Sequence, residues 1–353
     1  MYNEKIAQRV ILPETSILEA LKLMDKIGVK ALLVLQETRF FGILSIGDIQ
    51  RAIIANKSLD IPVGSILRTN PRVGYIGMSD AQIRELMVEY RMEFLPIIND
   101  EQEVVNCVFW EDIFHKSANI PLKLFKLPIV IMAGGMGTRL KPLTNVIPKP
   151  LIPIGEKTML EEIFERFALY GSNQFYISVN YKADLIEYYL NNLNLPYDIN
   201  YFREEKPLGT AGSLHLLKGY INSTFFVTNC DILIEQDYSE ILEYHKENNN
   251  EITVVAALRH FHLPYGTIET GTNGKLLSLM EKPELTFKIN SGMYILEPHL
   301  ISEVPTNTHF HITDLIEVVK RRNGNIGVFP ISQQSWKDIG EWNEYIDNIL
   351  PDY

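Results

Sequence analysis

The first 118 residues carry one pattern twice, and such a duplication commits that stretch to two copies of a small supersecondary unit. The string ALKLM at 20–24 returns as IRELM at 83–87, so that Met87 lies 63 positions after Met24. ALLVL at 31–35 returns as FLPII at 94–98, again at 63, and LSIGDI at 44–49 returns as VFWEDI at 108–113 at 64, one residue having been added in the turn. Each copy reads as an amphipathic helix, an apolar strand, a polar turn, a second strand and a short helix opened by an aspartate. Leu18, Leu21, Met24 and Ile27 keep the spacing of one helix face. Residues 36–39 and 99–102 are polar turns between strands. Two sheets covered on one side each would pack against one another, which places the repeats at about 6–58 and 65–117.

This pattern resembles a tandem pair of CBS modules, an α+β regulatory family whose members often bind adenine nucleotides. In ligand-binding members a glycine, two apolar residues, Ser or Thr, two more residues and Asp hold the ribose. Gly42, Ile43, Leu44, Ser45, Ile46, Gly47 and Asp48 match that order, whereas the second copy has Asn106 and Phe109 and keeps only Asp112. The resemblance therefore implies one regulatory nucleotide site, at Ser45 and Asp48. A plainer reading of Asp48 and Asp112 is that each caps its helix by accepting from free backbone N–H groups. Paired modules of this sort also commonly associate between chains, so a homo-oligomer is expected.

Residues 119–127, punctuated by Pro121 and Pro128, read as a linker between a first domain at 1–118 and a second at 128–353. From Pro128 on, strands at 129–132, 174–179 and 225–228 alternate with helices at 159–170 and 183–190. Such alternation predicts a mostly parallel, Rossmann-like α/β sheet covered by helices, with ligands beyond the carboxyl ends of its strands. Immediately after the first strand comes GGMGTRLKPLTNVIPKPLIPIG at 134–155. Glycines let backbone N–H groups approach phosphate oxygens, Arg139 offers a bidentate fork, and Lys149 is a cation mounted between two prolines. The segment lacks the G-x-x-x-x-G-K-S/T string of a Walker loop, and Leu140 stands where a dinucleotide fingerprint needs its third glycine, which disfavours an oxidoreductase.

That long segment resembles the signature of the sugar-1-phosphate nucleotidyltransferases, and further strings follow in that family's order. The resemblance implies that Gly134, Gly135, Gly137 and Thr138 hold the triphosphate, with Arg139 and Lys149 as catalytic cations. In PLGTAG at 207–212, Gly209 and Thr210 would contact the nucleoside. Asp231 in NCD and Asp338 in WKDIG would hold Mg2+, an ion that prefers oxygen ligands. EKP at 281–283 supplies Glu281 for a sugar hydroxyl and Lys282 for the sugar phosphate, with Gly266 and Asn290 lining the same pocket. Cys230 and the Glu341-Trp342 pair depart from the common pattern. The two H-x-H strings, at His260 and His262 and at His309 and His311, have no third ligand close by in sequence and read as solvated histidines.

The expected reaction is an in-line attack of a sugar phosphate on the α-phosphorus, giving an NDP-sugar and pyrophosphate. The CBS pair joined to a compact transferase resembles the glucosamine-1-phosphate guanylyltransferases of bacterial legionaminic acid synthesis, which implies GTP and an aminosugar phosphate. A mannose- or heptose-1-phosphate guanylyltransferase, a uridylyltransferase, and an inactive nucleotide-sensing protein are the competing readings. A net charge of −11 argues against a nucleic-acid partner. Two cysteines, no signal-like start and no run of about 18 apolar residues are those of a cytoplasmic protein with no membrane partner.

Overall fold

The computed structural model describes residues 4–113, 122–340, 342, 345 and 346. Residues 114–117 of the second repeat and 119–121 of the expected linker lie outside that set. The chain divides into two compact units, Met1–Leu122 and Lys123–Tyr353.

In the first unit β1 (Val10–Ile11), β2 (Ala31–Gln36) and β3 (Arg39–Ser45) form one sheet. The strands β4 (Gly74–Tyr75), β5 (Phe94–Ile98) and β6 (Val104–Phe109) form a second. Both have the same topology, the first pair parallel and the second antiparallel. The helices Ile17–Ile27 and Asp80–Glu89 start on the same device, a capping box that joins Ser16 to Glu19 and Ser79 to Gln82. As the apolar pattern requires, the two sheets share a core: Leu33 and Leu35 of β2 cluster with Phe94 and Ile98 of β5 and Phe109 of β6. Arg9 lies over the Phe94 and Phe109 rings at 5.7 and 5.2 Å and pairs with Glu93 at 2.6 Å.

The second unit begins with β7 (Ile129–Met132), a small hairpin of β8 (Pro153–Ile154) and β9 (Lys157–Thr158), then β10 (Gln174–Val179) and β11 (Asp198–Arg203). Next come β12 (Phe225–Asn229), β13 (Ile232–Ile234) and β14 (Ile252–His262). An arm of β15 (Thr267–Thr270) and β16 (Leu276–Met280) precedes β17 (Glu284–Leu296), β18 (Ile326–Ile331) and β19 (Trp336–Asp338). Seven of these make the central sheet, in the order β11-β10-β7-β12-β17-β14-β18. Six run one way; β17 alone is reversed, because it is the returning limb of the excursion that leaves from β14.

A mostly parallel sheet is covered on both faces, so its middle strands need unbroken apolar runs, and Ile129, Val130 and Ile131 are each fully buried. Alternate residues serve opposite faces. Phe175 packs on Phe164, and Phe226 on Phe167, both from the helix Met159–Ala168. Val130, Tyr176 and Val227 instead join Leu315 and Val319 of the helix Ile312–Arg321. After the loop 207–212 the chain makes a six-residue 3₁₀ turn, Gly212–Leu217. Among the described residues no helix is long and apolar enough to cross a membrane.

The register aligns the ends of four parallel strands. Ser178 and Asn229 both lie opposite Met132, and Val179 lies opposite Arg203. Residues that immediately follow β7, β10, β11 and β12 therefore gather along one edge of the sheet, where open α/β sheets place their ligands.

Candidate active site

The glycine segment leaves β7 at Ala133, whose N–H donates to the Ser178 carbonyl at 3.1 Å. It then folds back through the 3₁₀ turns Thr138–Leu140, Leu143–Asn145 and Lys149–Leu151. Gly137 has φ +61°, and a Cβ there would stand 2.8 Å from Thr144 Cγ2 and 3.0 Å from Lys149 Cβ. The Thr144 hydroxyl donates to the Gly137 carbonyl at 2.9 Å. Gly137 is thus needed by the return of the chain, and the return is what carries Lys149 back to the strand end. A Cβ on Gly135, by contrast, would meet nothing within 4 Å. Gly135, Thr138 and Arg139 are exposed, Gly134 partly so.

Lys149 reaches Asp231, which follows β12. The ammonium is hydrogen-bonded to Asp231 Oδ2, and the two side chains are only 11% and 6% exposed. Asp338 arrives from far along the chain because β19 pairs with β13 in a register that sets it opposite Ile232, the neighbour of Asp231. Arg139 approaches both carboxylates, at 3.7 Å from Asp231 and 3.9 Å from Asp338. Burial first, and then the charge of Asp231, hold the Asp338 carboxyl above the ordinary aspartate range. A buried carboxylate beside a half-buried one is a hard-oxygen donor set, and a divalent cation between them would relieve that repulsion, so the residues fit such an ion.

Gly340 closes this cluster. Its N–H donates to Asp338 Oδ1 at 3.0 Å, and a Cβ would lie 2.2 Å from Asp231 Oδ2, 2.6 Å from Lys149 Nζ and 2.8 Å from Asp338 Oδ1. Nothing in the sequence distinguished this glycine from any other beside a motif. Cys230 is not a competing nucleophile, since burial pushes its thiol up to about 12.

A second residue that the sequence reading passed over is Glu204, directly after β11. It is buried, accepts from the Ser178 hydroxyl, and takes the Leu208 N–H at 3.0 Å. A Cβ on Gly134 would stand 2.9 Å from its Oε1. Glu204 therefore ties the glycine segment to the loop 207–212. That loop is strapped to the lead-in of the helix Ile312–Arg321: the Ala211 and Gly212 N–H groups donate to the Phe310 carbonyl, and Phe310 N–H to Leu208. Gly209, at φ +83°, has room for no Cβ, which would come 2.7 Å from that same carbonyl, and Thr210 Oγ1 accepts the Ile312 N–H at 3.0 Å. Both residues thus have structural duties in holding the strap.

The remaining sequence-predicted residues fall into two places. Asn290 accepts from the Tyr294 hydroxyl at 2.9 Å and the Gly292 N–H at 3.2 Å. Its segment lies beside the aspartates, since a Cβ on Gly292 would be 2.7 Å from Asn229 Nδ2 and the Trp336 indole donates to the Ser291 carbonyl. Gly266, Glu281 and Lys282 stand exposed at the root of the β15–β16 arm, where a Cβ on Gly266 would be 2.9 Å from Glu281 Oε2. The contacts described for these three join them to one another's segments and not to the aspartate cluster.

His262, His309 and His311 are exposed, as expected, and only His260 is half-buried. His260 Nδ1 bonds Thr286 Oγ1 at 2.8 Å, and His311 N-caps the helix Ile312–Arg321 beside His309, ring centroids 4.6 Å apart. Glu251, His299 and Glu303 come close enough to hold a cation, but the Arg322 guanidinium already bridges both carboxylates, at 2.6 and 2.7 Å. In the first unit Ser45 and Asp48 form a capping box with each other, and Asp48, almost fully buried, pairs with Arg51 and with Arg68 at 3.1 Å. Asp112 accepts the Phe109 N–H at 3.2 Å in the same way.

The profile of the Nucleotidyl transferase family matches residues 129–351, and that of the CBS domain matches residues 9–55. The chain is 35% identical over 182 residues to the mannose-1-phosphate guanylyltransferase catalytic subunit beta of Dictyostelium discoideum, covering 50% of this chain and 51% of that one. It is 31% identical over 241 residues to the mannose-1-phosphate guanyltransferase of Saccharomyces cerevisiae, covering 63% of each. The chain thus spans between about half and just under two thirds of the length of these curated relatives. Among solved structures, HddC from Yersinia pseudotuberculosis superimposes with a TM-score of 0.51 at 28% identity, over 64% of this chain and 99% of that one. A second structure of HddC, complexed with GMP-PN, matches at 27% identity.

Proposed function

The chain belongs to the Nucleotidyl transferase family, and on that premise we propose that it joins a nucleoside triphosphate to a sugar 1-phosphate with release of pyrophosphate. The observation that carries the reading is the convergence of Arg139 and Lys149, from the glycine segment, on Asp231 and Asp338. Negative charge grows on the α-phosphoryl and on the leaving pyrophosphate during such a transfer, so fixed cations and backbone N–H groups at that point stabilise the transition state. Gly134, Gly135, Gly137 and Thr138 offer the N–H groups, Arg139 steadies the leaving pyrophosphate, and Lys149 binds the α-phosphoryl. Gly209 and Thr210 face the nucleoside. Lys282 binds the sugar phosphate, while Glu281, Gly266 and Asn290 line the sugar pocket.

Asp231 and Asp338 hold a divalent cation, Mg2+ in the first instance, which supplies charge neutralisation at the reacting phosphates when bound. The residues around these aspartates keep them in place. Gly340→Ala should lower kcat by about tenfold to a hundredfold, because its Cβ would displace Asp231, Lys149 and Asp338 from one another, and shifts on the order of 1 Å carry such costs. The readout is kcat at saturating substrates; an unaltered kcat would show that the close packing at Gly340 is idle.

GTP is the proposed donor, supported by the guanylyltransferase names of the relatives and by the GMP-PN complex of HddC. For the acceptor, those same names favour mannose 1-phosphate, whereas the resemblance to the legionaminic acid enzymes favours glucosamine 1-phosphate. Four triphosphates tested against mannose, glucosamine, heptose and glucose 1-phosphates, with pyrophosphate release as readout, rank them. The expected result is GTP first by tenfold or more. UTP in first place would overturn the donor assignment.

For the first unit we propose regulation by an adenine nucleotide at Ser45 and Asp48, together with assembly into a homo-oligomer. Because Asp48 is already engaged by Ser45, Arg51 and Arg68, binding there requires those partners to be shared. AMP or ATP should change the rate or the melting temperature; no response to either would leave the unit a scaffold.

A further inference from the structure

Asp231 and Asp338, the pair that the proposed function assigns to the metal, have cationic partners within the chain itself. Lys149 is bonded to Asp231, with both side chains nearly buried. Arg139 stands between the two carboxylates at 3.7 and 3.9 Å. Two negative charges are thus met by two positive ones from the chain itself. A divalent cation entering alone would have to push an ammonium and a guanidinium off their carboxylates. A triphosphate changes that balance, because its oxygens offer Lys149 and Arg139 a stronger partner.

Lys149 is well suited to such an exchange. Pro148 and Pro150 flank it in the turn Lys149–Leu151, so its backbone is held while the long side chain remains the part able to swing. Gly340 brings its backbone against the contact, since a Cβ there would be 2.2 Å from Asp231 Oδ2 and 2.6 Å from Lys149 Nζ. The room at this point is filled by the ammonium itself.

We propose that Lys149 is a charge latch on Asp231, which with Arg139 makes binding of the divalent cation conditional on the triphosphate. The inference rests on the reading of Asp231 and Asp338 as the metal-holding pair. By linkage, a cation that binds more tightly once the triphosphate is present must tighten the triphosphate by the same factor. The latch thereby keeps the site from filling with metal in the absence of substrate.

The test uses the full chain and Mn2+ alone, followed by calorimetry and by the electron paramagnetic resonance signal of the free ion. Lys149→Gln removes the charge and leaves a polar side chain one atom shorter, and should bind Mn2+ about tenfold or more tightly than the wild type. Lys149→Arg keeps the charge and should remain as weak as the wild type. A merely structural lysine would move both variants in the same direction, or neither. Equal Mn2+ affinity in Lys149→Gln and the wild type, with unchanged melting temperatures, would overturn the latch. A different result bears on the underlying assignment: tight Mn2+ binding by Lys149→Gln that survives Asp231→Asn would show that Asp231 is not a ligand. A second measurement does not depend on metal at all. In EDTA, GTP should bind Asp231→Asn more tightly than the wild type, because the substitution releases Lys149 for the phosphates; weaker binding would contradict the latch.

Discussion

Replacing Asp231 by asparagine is expected to reduce kcat for pyrophosphate release by about 10³-fold or more, with little change in folding stability. The size follows from the chemistry: a metal at developing phosphoryl charge is worth several kcal/mol, and single preorganised donors are worth about 10²–10³ in rate. Stability should hold because two effects oppose each other. Lys149 loses the partner that it meets while only 11% exposed, which is destabilising. Asp338, however, is freed from the neighbouring charge that helps to hold its carboxyl above the ordinary range. Steady-state kinetics alongside thermal unfolding separates the two outcomes. Wild-type turnover in a folded Asp231→Asn chain would remove the metal assignment.

Phe226→Ala should be the most damaging single change to the second unit, costing about 3–5 kcal/mol. Phe226 is fully buried in β12 and packs against Phe125, Phe167 and Tyr238 with ring centroids at 5.4, 5.3 and 6.2 Å. Phe167 of the helix Met159–Ala168 packs directly on it, so the truncation leaves a void beneath that helix. For a unit of this size the loss corresponds to a fall of roughly 10 °C in melting temperature. Because β12 ends two residues before Asp231, partial collapse there should also loosen the site, and calorimetry should record both. A melting temperature within about 2 °C of the wild type would mean that the face repacks, contrary to the rigidity expected of protein interiors.

How much of this was legible in the sequence follows from the range of the interactions involved. The 63-residue repeat was visible because each copy must present an apolar strand to a shared core, and those strands do share one. The strand-then-glycine order was visible for a similar local reason: Ile129, Val130 and Ile131 are buried on both faces, and the chain must turn directly after them. Residues whose duty depends on distant backbone were not visible. Glu204 matters because Gly134, Ser178 and Leu208 surround it, and Gly340 because three charged side chains crowd its Cα. Neither relation has a spacing to read.

Three other features were hidden for related reasons. The reversed direction of β17 depends on where the β15–β16 arm returns, and a run such as that at 284–296 reads alike in either direction. Gly209 and Thr210 looked like nucleoside contacts from their string alone, whereas the structure also ties them to Phe310 and Ile312. A glycine that a ligand needs and a glycine that a neighbouring carbonyl needs are the same letter. The spacing of His309 and His311 likewise gave no sign that His311 begins a helix.

The proposed reaction at this site is transfer of a nucleotidyl group between two phosphates. The most direct test is the formation of pyrophosphate by the full chain from GTP and Mg2+, with and without mannose 1-phosphate or glucosamine 1-phosphate, together with the mass of the nucleotide product. Pyrophosphate and a GDP-sugar are expected in equal amounts, only when a sugar phosphate is present, with the loss of both in Asp231→Asn. GTP binding without pyrophosphate under any of these conditions would contradict that reaction and would identify a nucleotide sensor instead.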